Sequence, residues 1–237
     1  MKIYPAIDIL NGKCVRLRKG IKTDVTDYGD PVKMALKWEK EGAHYLHLVD
    51  LDAAFEGKLV NRDVINNIVK SVKIPVQLGG GIRTEEDIAI RLDEFGISKV
   101  ILGTSAHTNE KIIKWALSKY SDRIAIAIDA KEGRVCINGW VDTTDVDPVV
   151  LAEKMRDAGV RTIIYTDVAR DGMMVGPNIE RTAEMVKKTM ITVIASGGIS
   201  TLEDIVAVRG TGACGAILGK SLYSKAFTLE EAMKIGK

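Results

Sequence analysis

A glycine turn that occurs twice constrains this chain more than any other feature. The apolar run 74–78 leads into Gly79-Gly80-Gly81-Ile82-Arg83, then Thr84-Glu85-Glu86-Asp87 and a helix-like pattern of Ile88, Ile90 and Leu92. The same order returns as the run 191–195, Ser196-Gly197-Gly198-Ile199-Ser200 and Thr201-Leu202-Glu203-Asp204, with Gly80 and Gly197 standing 117 residues apart. A strand, a glycine turn and a helix start in that order gather backbone N–H groups at the positive end of a helix, a geometry suited to phosphate. A single such turn is equally well a tight strand-to-helix connection. Two of them, half a chain apart, point to two anion sites, one in each half.

Short apolar runs alternate with amphipathic helical patterns along all 237 residues. Strands are expected over 3–7, 45–49, 76–78, 99–102, 124–128, 162–165, 192–195 and 215–218. Helices are expected over 31–41, 62–71, 85–95, 109–119, 147–158, 179–188 and 202–208, with a last one from Ser221 whose terminal turn, 229–235, Thr228 can cap. Asp30-Pro31 and Asp147-Pro148 read as a helix cap followed by a first-turn proline. Buried strands alternating with helices require a parallel sheet with right-handed crossovers. Eight units fit a (β/α)8 TIM barrel, and a doubly wound open sheet is the alternative.

The repeat favours the barrel. Pro5-Ala6-Ile7-Asp8 and Gly12-Lys13 are echoed by Ile126-Ala127-Ile128-Asp129 and Gly133-Arg134, and Ile101-Leu102-Gly103-Thr104-Ser105 by Ile217-Leu218-Gly219-Lys220-Ser221. Asn61 and Asn178 share the 117-residue spacing of the glycine turns. The expectation is one domain, 1–237, made of two half-barrels of about 1–120 and 121–237.

The apolar fraction of 46% is enough for a large core, and a net charge of +2 argues against a nucleic-acid partner while suiting an anionic metabolite. Cys14, Cys136 and Cys214 form no CxxC pair and read as reduced thiols of a cytoplasmic protein. Met1 leads almost directly into the first strand, so no signal peptide is expected, and no run approaches the ~20 apolar residues of a membrane span.

Barrel active sites lie at the C-terminal ends of the strands. Asp8 and Asp129 end the first and fifth strands, on opposite sides of a barrel. A lone aspartate there is often a helix cap, but a pair after identical Ala-Ile dipeptides is more specific. The turns at Gly80-Gly81 and at Ser196-Gly197-Gly198 are likewise opposed, and Gly103-Thr104 and Gly219-Lys220 can complete them. Arg83 is placed for bidentate phosphate contact, with a surface charge as the plain alternative. His44, His47 and His107 show no ligand spacing; His47, on the second strand, can point into the mouth, but a structural or supporting role is expected for it. The expected ligand is long, with a phosphate at each end and its reactive centre between two carboxylates.

Pro5-Ala6-Ile7-Asp8, the turn 79–83, Thr166-Asp167, Arg170-Asp171-Gly172, Gly176-Pro177-Asn178 and the turn 196–199 together resemble one family from end to end, the phosphoribosylformimino-5-aminoimidazole carboxamide ribotide isomerases of histidine biosynthesis. The related cyclase subunit of imidazole glycerol phosphate synthase usually carries Cys-Leu-Asp at the first strand and Gly-Tyr-Asp in place of Gly176-Pro177-Asn178. The resemblance implies an Amadori rearrangement of an aminoaldose ribotide, with Asp8 as base, Asp129 as acid and no metal or coenzyme. It implies that Thr166 contacts the sugar or orients Asp129, that Trp140 stacks on the substrate's flat heterocycle, and that Asp171, Gly172, Gly176 and Asn178 belong to the binding site. Arg16 and Arg18, after the first strand, are expected to reach a phosphate or cover the site. The implied partner is a small bisphosphorylated ribonucleotide, and a monomer is expected. Asp52-Ala53-Ala54-Phe55 is similar to barrels that also isomerise phosphoribosylanthranilate, which keeps a dual-substrate enzyme as an alternative. Lys220 stands where many relatives carry Arg. A barrel that only binds a bisphosphorylated metabolite is the reading from a different class.

Overall fold

Strands covered on both faces read as nearly continuous apolar runs, and the eight runs of this chain are covered in that way. The computed structural model describes residues 1–18 and 21–236, except for the side chains at 18 and 21–23. Its barrel strands are β1 (Lys2–Leu10), β2 (Leu46–Asp50), β3 (Val76–Gly79), β4 (Lys99–Leu102), β5 (Ile124–Lys131), β6 (Thr162–Asp167), β7 (Thr192–Ser196) and β8 (Gly215–Leu218). Each pairs in parallel with the next, and β8 pairs with β1, so the sheet closes and the open-sheet alternative falls.

Side-chain alternation divides the core in two. Tyr4, Ala6, Ile101, Ala125, Ile164, Ile194 and Ile217 fill the barrel axis. Ile3, Ile7, Leu46, Leu48, Ile126 and Ile128 face outward into the layer shared with the helices. Asp30 and Asp147 cap their helices as expected, Asp30 accepting from Val32 and Lys33 and Asp147 from Val149 and Val150. Thr228 and Glu231 cap the last helix, Leu229–Gly236, reciprocally.

Several features differ from the sequence expectation. The segment after β1 is a hairpin, Lys13–Arg18 with Ile21–Gly29, because Asn11-Gly12 adopts positive φ at both positions and folds the chain back on β1. Glu132-Gly133 does the same after β5, feeding the strand Arg134–Ile137. The expected helix 85–95 is an α-helix, Glu85–Ala89, that widens into a π-turn at Ile90–Glu94, where the fully buried Arg91 reaches back to the Asp87 carbonyl. Finally, the helices after the glycine turns are capped by their own side chains. Thr84 and Asp87, and Thr201 and Asp204, form capping boxes that take up the N–H groups of Arg83, Thr84 and Asp87 and of Ser200, Thr201 and Asp204.

Candidate active site

Alternation along β1 turns Tyr4, Ala6 and Asp8 toward the axis, and along β5 Ala125, Ala127 and Asp129. Both carboxylates therefore reach the mouth at the C-terminal ends of the strands, where they line one cavity with residues from all eight strands.

The two differ in their surroundings. The hairpin sets Val15 opposite Asp8, so the next residue, Arg16, lies beside it and donates from Nη1 to Asp8 Oδ2 at 2.8 Å. Burial pushes the Asp8 carboxyl up to about 6, with Arg16 pulling it down and Asp171 pushing it up. Among the described residues Asp129 has no such ion pair. Burial raises it, Asp171 adds to the rise, and the Trp140 indole N–H and Thr166 hydroxyl oppose it. Thr166 is the register partner of Asp129 across β5 and β6. Asp171 is itself raised by burial, against the pull of Arg16 and Lys220.

The glycine turns have a packing reason to be glycine. Gly80 and Gly197 have positive φ, and a Cβ on either would collide with the carbonyl of Asp50 or Asp167 at the end of the preceding strand. Gly81 and Gly198 are closed in likewise by Ala53 and Gly176. These close approaches press each turn into the neighbouring loop, and all four glycines line the cavity. Among the described residues neither Gly81 nor Gly198 donates its N–H to a protein acceptor in a turn or loop. Gly103 and Gly219, with nearly equal φ and ψ, precede the short helices Thr104–Thr108 and Lys220–Tyr223 at the same rim.

Of the residues singled out from the sequence, Asp8, Asp129, Thr166, Gly80, Gly81, Arg83, Gly103, Thr104, Trp140, Asp171, Gly172, Ser196, Gly197, Gly198, Gly219 and Lys220 all line this cavity. Gly176 and Asn178 do not. Gly176 bonds backbone to backbone with Gly198, while Asn178 donates to Asp167 and caps the helix Ile179–Thr189. Asn61 makes the matching bond to Asp50, so the repeated asparagines brace loops. Arg83 donates to the Ala54 carbonyl and Lys220 to that of Gly172. Trp140 has φ +71 and follows Asn138 and Gly139, also at positive φ, and the Asn138 N–H donates to Thr104 Oγ1. The Arg18 side chain lies outside the described residues.

Sequence reasoning undervalued two groups. Arg16, expected to reach a phosphate or cover the site, lines the cavity and pairs with Asp8; the Asn-Gly turn signals the hairpin that carries it. His47, expected to play a structural or supporting role though able to point into the mouth, faces the cavity, where burial and Arg16 push its imidazole down to about 3.

The family model for histidine biosynthesis protein matches residues 2–228. A curated relative from Ruminiclostridium cellulolyticum is 50% identical over 234 residues, spanning 98% of this chain and 99% of its own. Relatives from Acetivibrio thermocellus and Thermoanaerobacter pseudethanolicus are each 49% identical over 238 residues, the full length of both chains. All three are named 1-(5-phosphoribosyl)-5-((5-phosphoribosylamino)methylideneamino)imidazole-4-carboxamide isomerase. With a closed barrel, a duplicated rim and matches of this extent, the chain belongs to the histidine biosynthesis protein family.

Proposed function

We propose that this chain is an isomerase acting on the compound in its relatives' name, converting the aminoaldose to the aminoketose in histidine biosynthesis. The observation that carries this reading is the sharing of one cavity by Asp8 and Asp129 between two duplicated glycine turns, in a chain matched end to end by such isomerases.

Three proton movements are required. An acid protonates the furanose ring oxygen so that the ring opens to an imine. A base removes the C2 proton, and the enolamine then tautomerises to the ketose. The substrate's nitrogen takes up the electrons, so the reaction calls for no coenzyme. Asp129 acts as the acid, the role the family resemblance implies, and burial raises its carboxyl in the direction that favours a proton donor. Asp8, at about 6 and paired with Arg16, is ionised at pH 7 yet close enough to it to accept a proton well. Asp171 raises both carboxyls. Thr166 and Trp140 orient Asp129, and Trp140 is placed to cover the heterocycle. The phosphates lie against Gly80, Gly81, Gly103 and Thr104 on one side and Ser196, Gly197, Gly198, Gly219 and Lys220 on the other, with Arg83 and Gly172 at the edges.

The same reading takes the chain as one domain of two half-barrels, a cytoplasmic monomer with a small-molecule substrate and neither nucleic acid nor membrane as partner. Among the described residues no helix is long and apolar enough to cross a membrane. The phosphoribosylanthranilate alternative gains no support, since the relatives' names give a single substrate.

Steady-state conversion of the aminoaldose tests the assignment. Asp8→Asn and Asp129→Asn are each expected to lower kcat by at least ~10²-fold, as loss of an acid–base group does. Rates like those of the unaltered protein in both variants would overturn it.

A further inference from the structure

The two halves of the barrel differ at one pair of buried positions. In the first half His47 on β2 lies in register with Gln77 on β3. In the second half the matching pair, 117 residues later, is Ile164 on β6 and Ile194 on β7. The surroundings correspond as well, for His47 is the register partner of Ala6 and Ile164 that of Ala127. An aliphatic pair therefore fills this layer in one half of the same barrel. A buried imidazole and carboxamide there answer no packing demand, and burying them is unfavourable unless they are hydrogen-bonded.

Gln77 Nε2 lies 2.9 Å from His47 Nδ1, and the two residues are 5% and 9% exposed. An amide nitrogen only donates, so Nδ1 accepts and the ring proton sits on Nε2. His47 lines the cavity floor among Ala6, Ile101, Ala127, Ile164 and Ile217, and among the described residues it is the one polar side chain there, one layer below Asp8. Arg16 is the charged group that acts on it, and both that charge and burial keep the ring neutral.

We propose that Gln77 locks His47 as the neutral Nε2–H tautomer, and that this N–H donates a hydrogen bond to a hydroxyl of the sugar being isomerised, fixing its rotation so that the C2 proton faces Asp8. No proton is transferred to or from His47. The ring is a fixed donor, and the acid–base work stays with the aspartates. This rests on the isomerase reading above.

The twin pair supplies the test. His47→Ile places in the first half what the second half carries at Ile164, and Gln77→Leu puts an aliphatic chain close in size to glutamine opposite it, as Ile194 is opposite Ile164, so both variants are expected to fold. His47→Ile is expected to lower kcat about tenfold, the scale of one lost hydrogen bond, with KM changed less and thermal stability unchanged or higher. His47→Gln, which restores a neutral donor, recovers part of the loss, and Gln77→Leu falls between. Nitrogen-15 NMR of labelled protein, with the His47 signals assigned by their loss in His47→Ile, is expected to show Nε2 protonated at neutral pH, and Nδ1 and Nε2 sharing the proton in Gln77→Leu. Unchanged kcat in His47→Ile, or a proton on Nδ1 in the unaltered protein, would overturn the inference while Asp8→Asn still abolished turnover. Absence of turnover in the unaltered protein would instead sink the isomerase reading and this inference with it.

Discussion

Asp8 and Asp129 follow the same Ala-Ile dipeptide, yet one cation separates their chemistry. Arg16 holds Asp8 toward its ionised form, while Asp129 has only neutral donors, Trp140 and Thr166, to offset its burial. A carboxyl raised in the fold above its unfolded value of 3.8 binds more protons folded than unfolded at intermediate pH. Stability then falls as pH rises from the unfolded value through the folded one. Asp129→Asn removes that penalty. The variant is expected to melt at a higher temperature than the unaltered protein at pH 8, and the difference to vanish below about pH 4. Equal melting temperatures at both pH values would show that the carboxyl is not raised. The expected loss of turnover with gain of stability is the usual trade at a strained active site. The presence of two matched aspartates was legible in the sequence. Their inequality was not, because it depends on the Arg16 side chain that the folded hairpin brings against Asp8.

At the scale of elements, strands and helices were largely readable, since apolar alternation and Asp-Pro starts are local signals. The glycine turns were readable in place but not in cause. Their glycines are required by the carbonyls of Asp50 and Asp167 on the preceding strands, a contact no spacing reveals. Gly176 and Asn178 belong to the same bracing, as the Asn178–Asp167 bond shows. Asn178→Ala is expected to lose about 1–2 kcal/mol of unfolding free energy through its cap and buried bond. Urea titration measures that loss, and KM for the aminoaldose is expected to stay within about twofold. A large KM rise at unchanged stability would return Asn178 to the binding site.

For the whole molecule, closure matters most. Division between 120 and 121 interrupts two strand pairs, β4 with β5 and β8 with β1. Each fragment, 1–120 or 121–237, then carries two unpaired edges, which favour association over folding alone. Each fragment alone is expected to be inactive, and refolding the two together to restore isomerase activity. Persistent inactivity of the mixture would argue against separable half-barrels. The sequence by itself determined the eightfold alternation, the twofold repeat, the paired aspartates and the glycine turns, because periodicity and local chemistry are carried by neighbouring residues. Tertiary structure alone decided that Arg16 meets Asp8, that Gln77 orients His47 and that Asp171 lies close enough to raise two carboxyls. Desolvation and charge coupling depend on distances between remote segments, and those exist only once the barrel has closed.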